Sequence, residues 1–301
     1  MIEHEPVLYG EVLDALSPRP NGAYIDGTVG GGGHAKGILD RCAPSGRLLG
    51  IDLDREAVRA AGERLAEYGD RVRVIHGSFA DLEQLALQHG FLPADGVLLD
   101  LGVSSHQLAN SERGFSFQAD GPLDMRFDPS VGPPAEEIVN TLPEAELADV
   151  LFELGEERAA RRIARAIVRA RPLEHTSELA SLVARVVPRR GRTHPATRTF
   201  QALRLYTNSG LETVSEGLDQ AVGTLAPGAR IVVISFHSLE DRIVKHFFRH
   251  QASRVEANVE PRLRVVTPHP VIPAEAERQR NPRSRSAKMR VAERTTAGFL
   301  S

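Results

Sequence analysis

The chain has 301 residues, a formal net charge of −3, 41% hydrophobic and 26% charged residues, which is the composition of a globular protein with one large core or two smaller ones. No apolar run reaches the length of a membrane span, and Met1 to Pro6 has neither a charged nor an apolar leader region, so a cytoplasmic protein is expected. The single cysteine, Cys42, excludes an internal disulfide and a cysteine-built zinc site, and no metal site is expected. Lys36, Lys245 and Lys288 are the only lysines among many arginines, a bias that net charge alone does not turn into an argument for nucleic acid.

Val7, Leu8, Val12, Leu13 and Leu16 predict an amphipathic lead-in helix that stops before Pro18. Tyr24-Ile25 is a short buried strand. It runs into Asp26 and then into Gly30-Gly31-Gly32-Gly33, after which His34 to Arg41 has helical spacing. Arg47 to Asp52 is a second strand ending in a carboxylate, and Glu56 to Tyr68 a helix. Val72 to Ile75 is a third strand, followed by a helix that starts near Ser78 and carries Leu82, Leu85 and Leu87. Asp95 to Asp100 is a fourth strand, again ending in Asp. Alternating strands and helices imply a parallel sheet with crossover helices.

From Ser104 to Tyr206 no segment reads as a buried strand. A Gly- and Pro-rich stretch, 111–134, precedes helical patterns at 135–142, 144–154, 156–170 and 177–187. This is too long for a loop and reads as a helical insertion. The α/β rhythm resumes with a helix over 209–225, stopped by Ala226-Pro227-Gly228. Ile231 to Phe236 is the most apolar strand, and Leu239 to His250 a helix. Arg262–Val266 and Lys288–Glu293 suit a closing antiparallel pair, with a charged loop, 275–286, between them. The expected organisation is residues 1–106 and 207–301 as one α/β domain interrupted by a helical domain at 107–206.

Strand ends on one edge of a parallel sheet meet at the ligand crevice. Asp26, Asp52, Asp100 and Ser235-Phe236-His237 are all placed there by the pattern. Four glycines in a row add no packing and allow a ligand close to bare N–H groups at a helix start. Two cofactors fit. Gly30-x-Gly32-x-x-Ala35 with Asp52 downstream loosely matches a dinucleotide fingerprint. Asp26, ahead of the glycines, instead suits a cationic amino-acid moiety and favours S-adenosylmethionine (SAM), with Asp52 on the ribose hydroxyls and Phe79 on the adenine face or in the core.

Longer words then narrow the choice. Asp26 to His34, Leu98 to Ser105, Arg113 to Phe117, Gly121 to Arg126, His194 to Arg204, Ile234 to Arg242, Asn281 to Ser286 and Arg290 to Thr295 are similar, in order and end to end, to motifs of the RsmH (MraW) family. The resemblance implies a Rossmann-like class I methyltransferase domain carrying an inserted all-helical domain. It also implies methyl transfer from SAM to the N4 amine of a cytidine in 16S ribosomal RNA, near the decoding centre of the small subunit. Carried over residue by residue, it places SAM against Gly32, Gly33, His34, Asp52, Phe79, Asp100 and Gln107.

An aromatic exocyclic amine is a weak nucleophile and needs alignment and a proton acceptor. Asp100, Ser104 and His237 are the candidates for that chemistry, although Asp100 could serve only the cofactor and His237 only a helix start. Arg113, Phe115, Phe117 and Arg126, then Arg192, His194 and Arg198 (with Arg189 and Arg190 beside them), then Arg280, Arg283, Arg285 and Arg290, form three basic stretches suited to RNA. The rival readings are a nicotinamide-dependent dehydrogenase and a ribosome-assembly module with an inactive pocket. The sequence is compatible with a dimer and does not determine the oligomeric state.

Overall fold

The computed structural model describes residues 6–188, 193–253 and 260–297, apart from the side chains of Ser105 and His106. They fall into two compact units, one of residues 1–102 with 211–301 and one of 103–210.

The first unit opens with α1 (Tyr9–Leu16), β1 (Ala23–Asp26), α2 (Gly33–Arg41), β2 (Arg47–Asp52), α3 (Arg55–Arg64), β3 (Val72–His76), α4 (Leu82–Gln88) and β4 (Ala94–Asp100). The helices of the second unit are α5 (Ser105–Ala109), α6 (Ala135–Thr141), α7 (Glu144–Glu153), α8 (Ala160–Ala170), α9 (Thr176–Val186) and α10 (Thr197–Thr207). The first unit then resumes with α11 (Gly210–Thr224), β5 (Leu225–Ser235), α12 (Ser238–Ala252), β6 (Leu263–Val265), α13 (Glu275–Arg280) and β7 (Lys288–Arg294).

The strands form one sheet in the order β3-β2-β1-β4-β5-β7-β6. β1 to β5 are parallel, and β7 is antiparallel to both β5 and β6. The chain builds outward from β1 to β3 and then returns to the other side of β1 for β4. The switch point therefore lies between β1 and β4, where an open α/β sheet binds its ligand at the C-terminal strand ends. Successive strand residues enter opposite cores. Ile25, Leu49 and Leu99 join α4, α11 and α12 residues on one face, while Tyr24, Leu48 and Leu98 join α1, α2 and α3 residues on the other. Cys42 is buried in the second of these. The second unit has its own core, including Leu147, Ile163, Leu179 and Phe200.

Several expected boundaries shift. The helix expected to reach Tyr68 ends at Arg64, and a tighter turn through Gly69 at φ 55° follows. The helix expected from 156 begins at Ala160. Ala226-Pro227-Gly228 does not precede the fifth strand but lies within it. β5 pairs with β4 at Leu225 and again from Arg230, so the residues between bulge out around Gly228 at φ 82°. Residues 275–286, expected as a loop, form α13 and a 3-10 turn at Pro282–Ser286. α10 was not expected at all. Its three threonines and two aromatics are weak helix formers, and burial of Phe200, Ala202 and Leu203 in the second core holds it.

Among the described residues no helix is long and apolar enough to cross a membrane.

Candidate active site

β1 ends at Asp26 and the chain turns back through glycines into α2. Two of them take left-handed conformations, Gly30 at φ 51° and Gly32 at φ 77°, which glycine adopts without the strain a side chain would bring. Gly32 is the residue that caps α2. A Cβ on Gly33 would lie 2.6 Å from Pro6 Cγ, so the loop is also packed too closely for any other residue there. The loop is fixed by its neighbours. Gly30 N donates to Asp52 Oδ2 at 2.8 Å, and Gly27 N donates to the Leu98 carbonyl at 2.9 Å. Asp100 N donates to Thr28 Oγ1 at 2.6 Å. Thr28 thus joins the ends of β1 and β4, a role the sequence reading missed, although the Thr in Asp-Gly-Thr was its signal.

Three carboxylates crowd this edge. Burial pushes the Asp26 carboxyl up to about 8, and the nearby Asp100 and Asp52 add to the rise against the hydrogen bond from Thr28. Burial likewise raises Asp100 to about 7, opposed by the Gly102 N–H and by Arg283 and assisted by Glu240. Asp52 is pushed by burial to about 6, although Asp54 N and Gly30 N both donate to it. Asp100 keeps a quarter of its side chain exposed, so it remains reachable from solvent.

His34, on the first turn of α2, is 6% exposed. Its Nε2 lies 3.8 Å from Asp100 Oδ2, and its ring stacks on Tyr9 with centroids 6.1 Å apart. Neither ring nitrogen makes a well-formed hydrogen bond. Burial lowers the imidazole to about 4 against a smaller pull from the Val7 backbone, so the ring is neutral at physiological pH. A neutral Nε2–H there could donate to Asp100 if the two groups closed by about 0.6 Å or more.

Phe79 begins the 3-10 turn after β3. Its ring lies over Gly217 of α11, where an added Cβ would come within 2.1 Å of it, and it packs on the core while staying partly exposed. His237 caps α12: Glu240 N donates to its Nδ1 at 3.3 Å, and its Nε2 lies 2.9 Å from Glu240 Oε1. Glu240 Oε2 in turn accepts from Phe236 N at 2.9 Å. The imidazole thus serves as the acceptor cap of α12, with its Nε2 close to the Glu240 carboxylate. Glu240 and Arg283, one raising and one lowering the Asp100 carboxyl, are site neighbours that the strand-end rule does not reveal.

Ser104 and Gln107 start the second unit. Ser104 N donates to Gln107 Oε1 at 2.8 Å, and Gln107 N donates to Ser104 Oγ at 3.2 Å. In the same unit Arg113 is buried, and its Nη2 donates to the carbonyls of Arg126 and Phe127, both at 2.9 Å. Phe115 is fully buried. Arg126 forms a two-point pair with Asp124 and also reaches the Gly132 carbonyl. In this structure these three residues, expected on an RNA-facing surface, instead hold the Gly- and Pro-rich stretch together. His194 is half-buried with its ring 4.7 Å from Phe117, while Arg198 and Arg285 are exposed and Arg283 is half-buried. Arg192, with Arg189 and Arg190, lies outside the described residues.

The arrangement fits a cationic ligand. Each of the three carboxylates is held above its ordinary range and would gain by meeting a positive charge. The glycine turn gives close access to the start of α2, and His34 offers two buried nitrogens with unused hydrogen-bonding capacity.

Comparison with known proteins agrees with this chemistry. The family model for the MraW methylase family matches residues 1–295. The chain is 54% identical to the ribosomal RNA small subunit methyltransferase H of Thermomicrobium roseum, over 97% of this chain and 93% of that protein. It is 51% identical to the protein of the same name from Pelobacter propionicus, over 97% and 98%. The figure for the Geobacter sulfurreducens protein is 50%, also over 97% and 98%.

Proposed function

The chain belongs to the MraW methylase family, and from that premise we propose that it methylates the exocyclic N4 amine of a cytidine in 16S ribosomal RNA, near the decoding centre of the small subunit. Its methyl donor is SAM. The coarser statement, SAM-dependent methylation of ribosomal RNA, has the support of relatives named ribosomal RNA small subunit methyltransferase H at about half identity over nearly their whole length. The finer one rests on the sequence motifs and on one observation: a carboxylate near neutral pKa, Asp100, at the switch point with His34 beside it.

Gly32, Gly33 and His34 would hold the amino-acid end of the donor at the α2 start, Asp26 its ammonium group, Asp52 its ribose hydroxyls, and Phe79 its base. Gln107 completes the set proposed from the motifs. When bound, SAM supplies an electrophilic methyl group on a sulfonium, which leaves as a neutral thioether. The residues of the chain must then orient the amine and remove its proton. In our reading Asp100 accepts that proton as the nitrogen–carbon bond forms, and a carboxylate near 7 suits the task at working pH. His34, with Nε2 3.8 Å from Asp100 Oδ2, would donate to Asp100 and orient it once the two draw together. Ser104 is the proposed hydrogen-bond partner of the amine, and His237 acts by fixing the start of α12. RNA contact is assigned to Arg198, Arg285, Arg283 and His194. Arg192 stays within the same proposal, while Arg113, Phe115 and Arg126 support the fold of their unit.

The deciding experiment is incubation with labelled SAM and small subunits from cells lacking the modification, followed by mass spectrometry of digested 16S RNA. One methyl on a cytidine N4 is expected. A methyl on another base or ring position would overturn the N4 assignment, and no transfer would overturn the substrate.

Asp100→Asn separates binding from chemistry. We expect SAM affinity to change by less than about tenfold and methyl transfer to fall by at least about 100-fold, the usual worth of a placed base. Full transfer with weakened SAM binding would remove Asp100 from the chemistry.

A further inference from the structure

Away from the carboxylate edge, the first unit holds a cavity of about 250 Å³ between α12 and the strands β6 and β7. Its lining includes Lys245, Phe248, Arg249, Val265, Thr267 and Arg290. We propose that this cavity is a phosphate-binding site for the backbone of the RNA substrate, seated beside the stretch that enters the active site. The inference rests on ribosomal RNA being the substrate.

The charge balance carries the argument. Lys245 and Arg249 are one turn apart on α12 and present their charges on the same face, an arrangement that is unfavourable in an isolated helix. Among the described residues no ion pair or hydrogen bond engages either side chain. Arg290 is buried, and its Nε donates to Asp241 Oδ1 at 2.7 Å. Lys288 reaches the other oxygen of the same carboxylate at 3.1 Å. Burial alone would raise Asp241, but the hydrogen bonds from Arg290 and Lys288 outweigh it and hold the carboxyl below its usual range. One ionised carboxylate is therefore shared by two cations, while Lys245 and Arg249 make no ion pair among the described residues. Two of the three lysines of the chain are gathered here.

The fold makes this place concave. β6 is only three residues long and is the sheet edge, and the chain leaves it through Thr267 and Pro268. Thr267 Oγ1 accepts from Val291 N at 2.8 Å, which pins the turn and leaves room between it and α12. Phe248 and Val265 form an apolar floor that keeps water off one side of the cations and strengthens their pull on an anion. β7 and β6 lie two and three strands from β4, about 10 and 14 Å across the sheet at the usual strand spacing, and Lys245 and Arg249 lie about 10 and 16 Å along α12 from its start beside the strand ends. A few nucleotides of RNA cover that distance, so a strand anchored here can place a base near Asp100.

The test is the double variant Lys245→Glu/Arg249→Glu, whose side chains end at the surface and touch no part of the proposed catalytic machinery. Binding of 16S RNA is measured without SAM across a salt series, and the KM and kcat of methyl transfer are measured with small subunits. We expect RNA affinity to fall at least about tenfold and the slope of log affinity against log salt to shrink by about 1.4–1.8, the release of two phosphate contacts. KM should rise in step, with kcat and the calorimetric Kd for SAM within twofold. Unchanged RNA affinity and salt slope would overturn the proposal. So would a raised KM for whole subunits with unchanged affinity for naked RNA, which would indicate a protein partner. Inorganic phosphate and cytidine monophosphate are titrated alongside. If they bind the parent and not the variant while RNA binding is unaffected, the site serves a small free anion and the proposal fails. The RNA-binding arm needs no methyl transfer, so its outcome is separable from that of the substrate reading.

Discussion

Asp26, Asp52 and Asp100 stand where three parallel strands end, and the same crowding that suits a cationic ligand is a cost to the free protein. The Asp26 carboxyl titrates near 3.9 in an unfolded chain and at about 8 here, so folding takes up a proton at neutral pH. That stabilising contribution is complete below about pH 4 and is lost as pH rises through about 8. Asp26→Asn is neutral throughout. It is expected to be more stable than the parent at about pH 9, by ~1–3 kcal/mol or a few degrees of Tm, and equal to it at about pH 4. Thermal unfolding of the ligand-free protein over a pH series checks this, and an advantage that grows toward acid would refute it. The same variant should bind SAM less tightly, because the charge that repels folding is the one that attracts the ligand. For the parent, calorimetric affinity for SAM should climb between about pH 6 and 8 as Asp52, Asp100 and Asp26 ionise, with protons released on binding.

The neighbouring elements set these side chains by ordinary helix and loop chemistry. Asp54 caps α3, its side chain accepting from Glu56 N at 2.9 Å, and it also donates its N–H to Asp52. Asp54→Ala should cost about 1 kcal/mol in denaturant unfolding, the usual value of a lost cap, while the backbone N–H to Asp52 is kept. His237 caps α12, with Glu240 returning the bond to the strand before it. If His237 is only a cap, then His237→Asn, which can still accept from the helix N–H, keeps most of the transfer rate, while His237→Ala loses stability. A large loss of kcat in the Asn variant with stability intact would make the imidazole part of the chemistry. Much of this was readable in the sequence. The strand ends and the glycine turn follow from period-two patterning and from residues that serve no packing purpose. Glu240, Arg283 and Thr28 were not readable as neighbours of Asp100, because they come from separate elements brought together only by sheet order. Arg113 and Phe115 show the converse: a basic-aromatic run looks like a binding surface until burial places both inside.

At the scale of the molecule, two units with separate cores are encoded in a chain that leaves the α/β sheet after β4 and returns to it for β5. Phe200 is enclosed in the second core, and Phe200→Ala should cost about 3–5 kcal/mol there. Hydrogen exchange should then accelerate in α7, α8 and α10 while β1, β2 and β4 keep their protection. Equal acceleration in both units would show that they open together. The sequence by itself determined the parallel α/β class, the run of strands ending in carboxylates and the family, because hydrophobic period and motif spacing are local properties of a chain. Only the tertiary structure decided which charged groups are spent and which are free. It buried Arg113, paired Arg126, set His34 against Asp100 and left Lys245 and Arg249 without an ion pair among the described residues, beside a cavity. Charge pairing depends on contacts between residues far apart in sequence, and those distances exist only once the chain has folded.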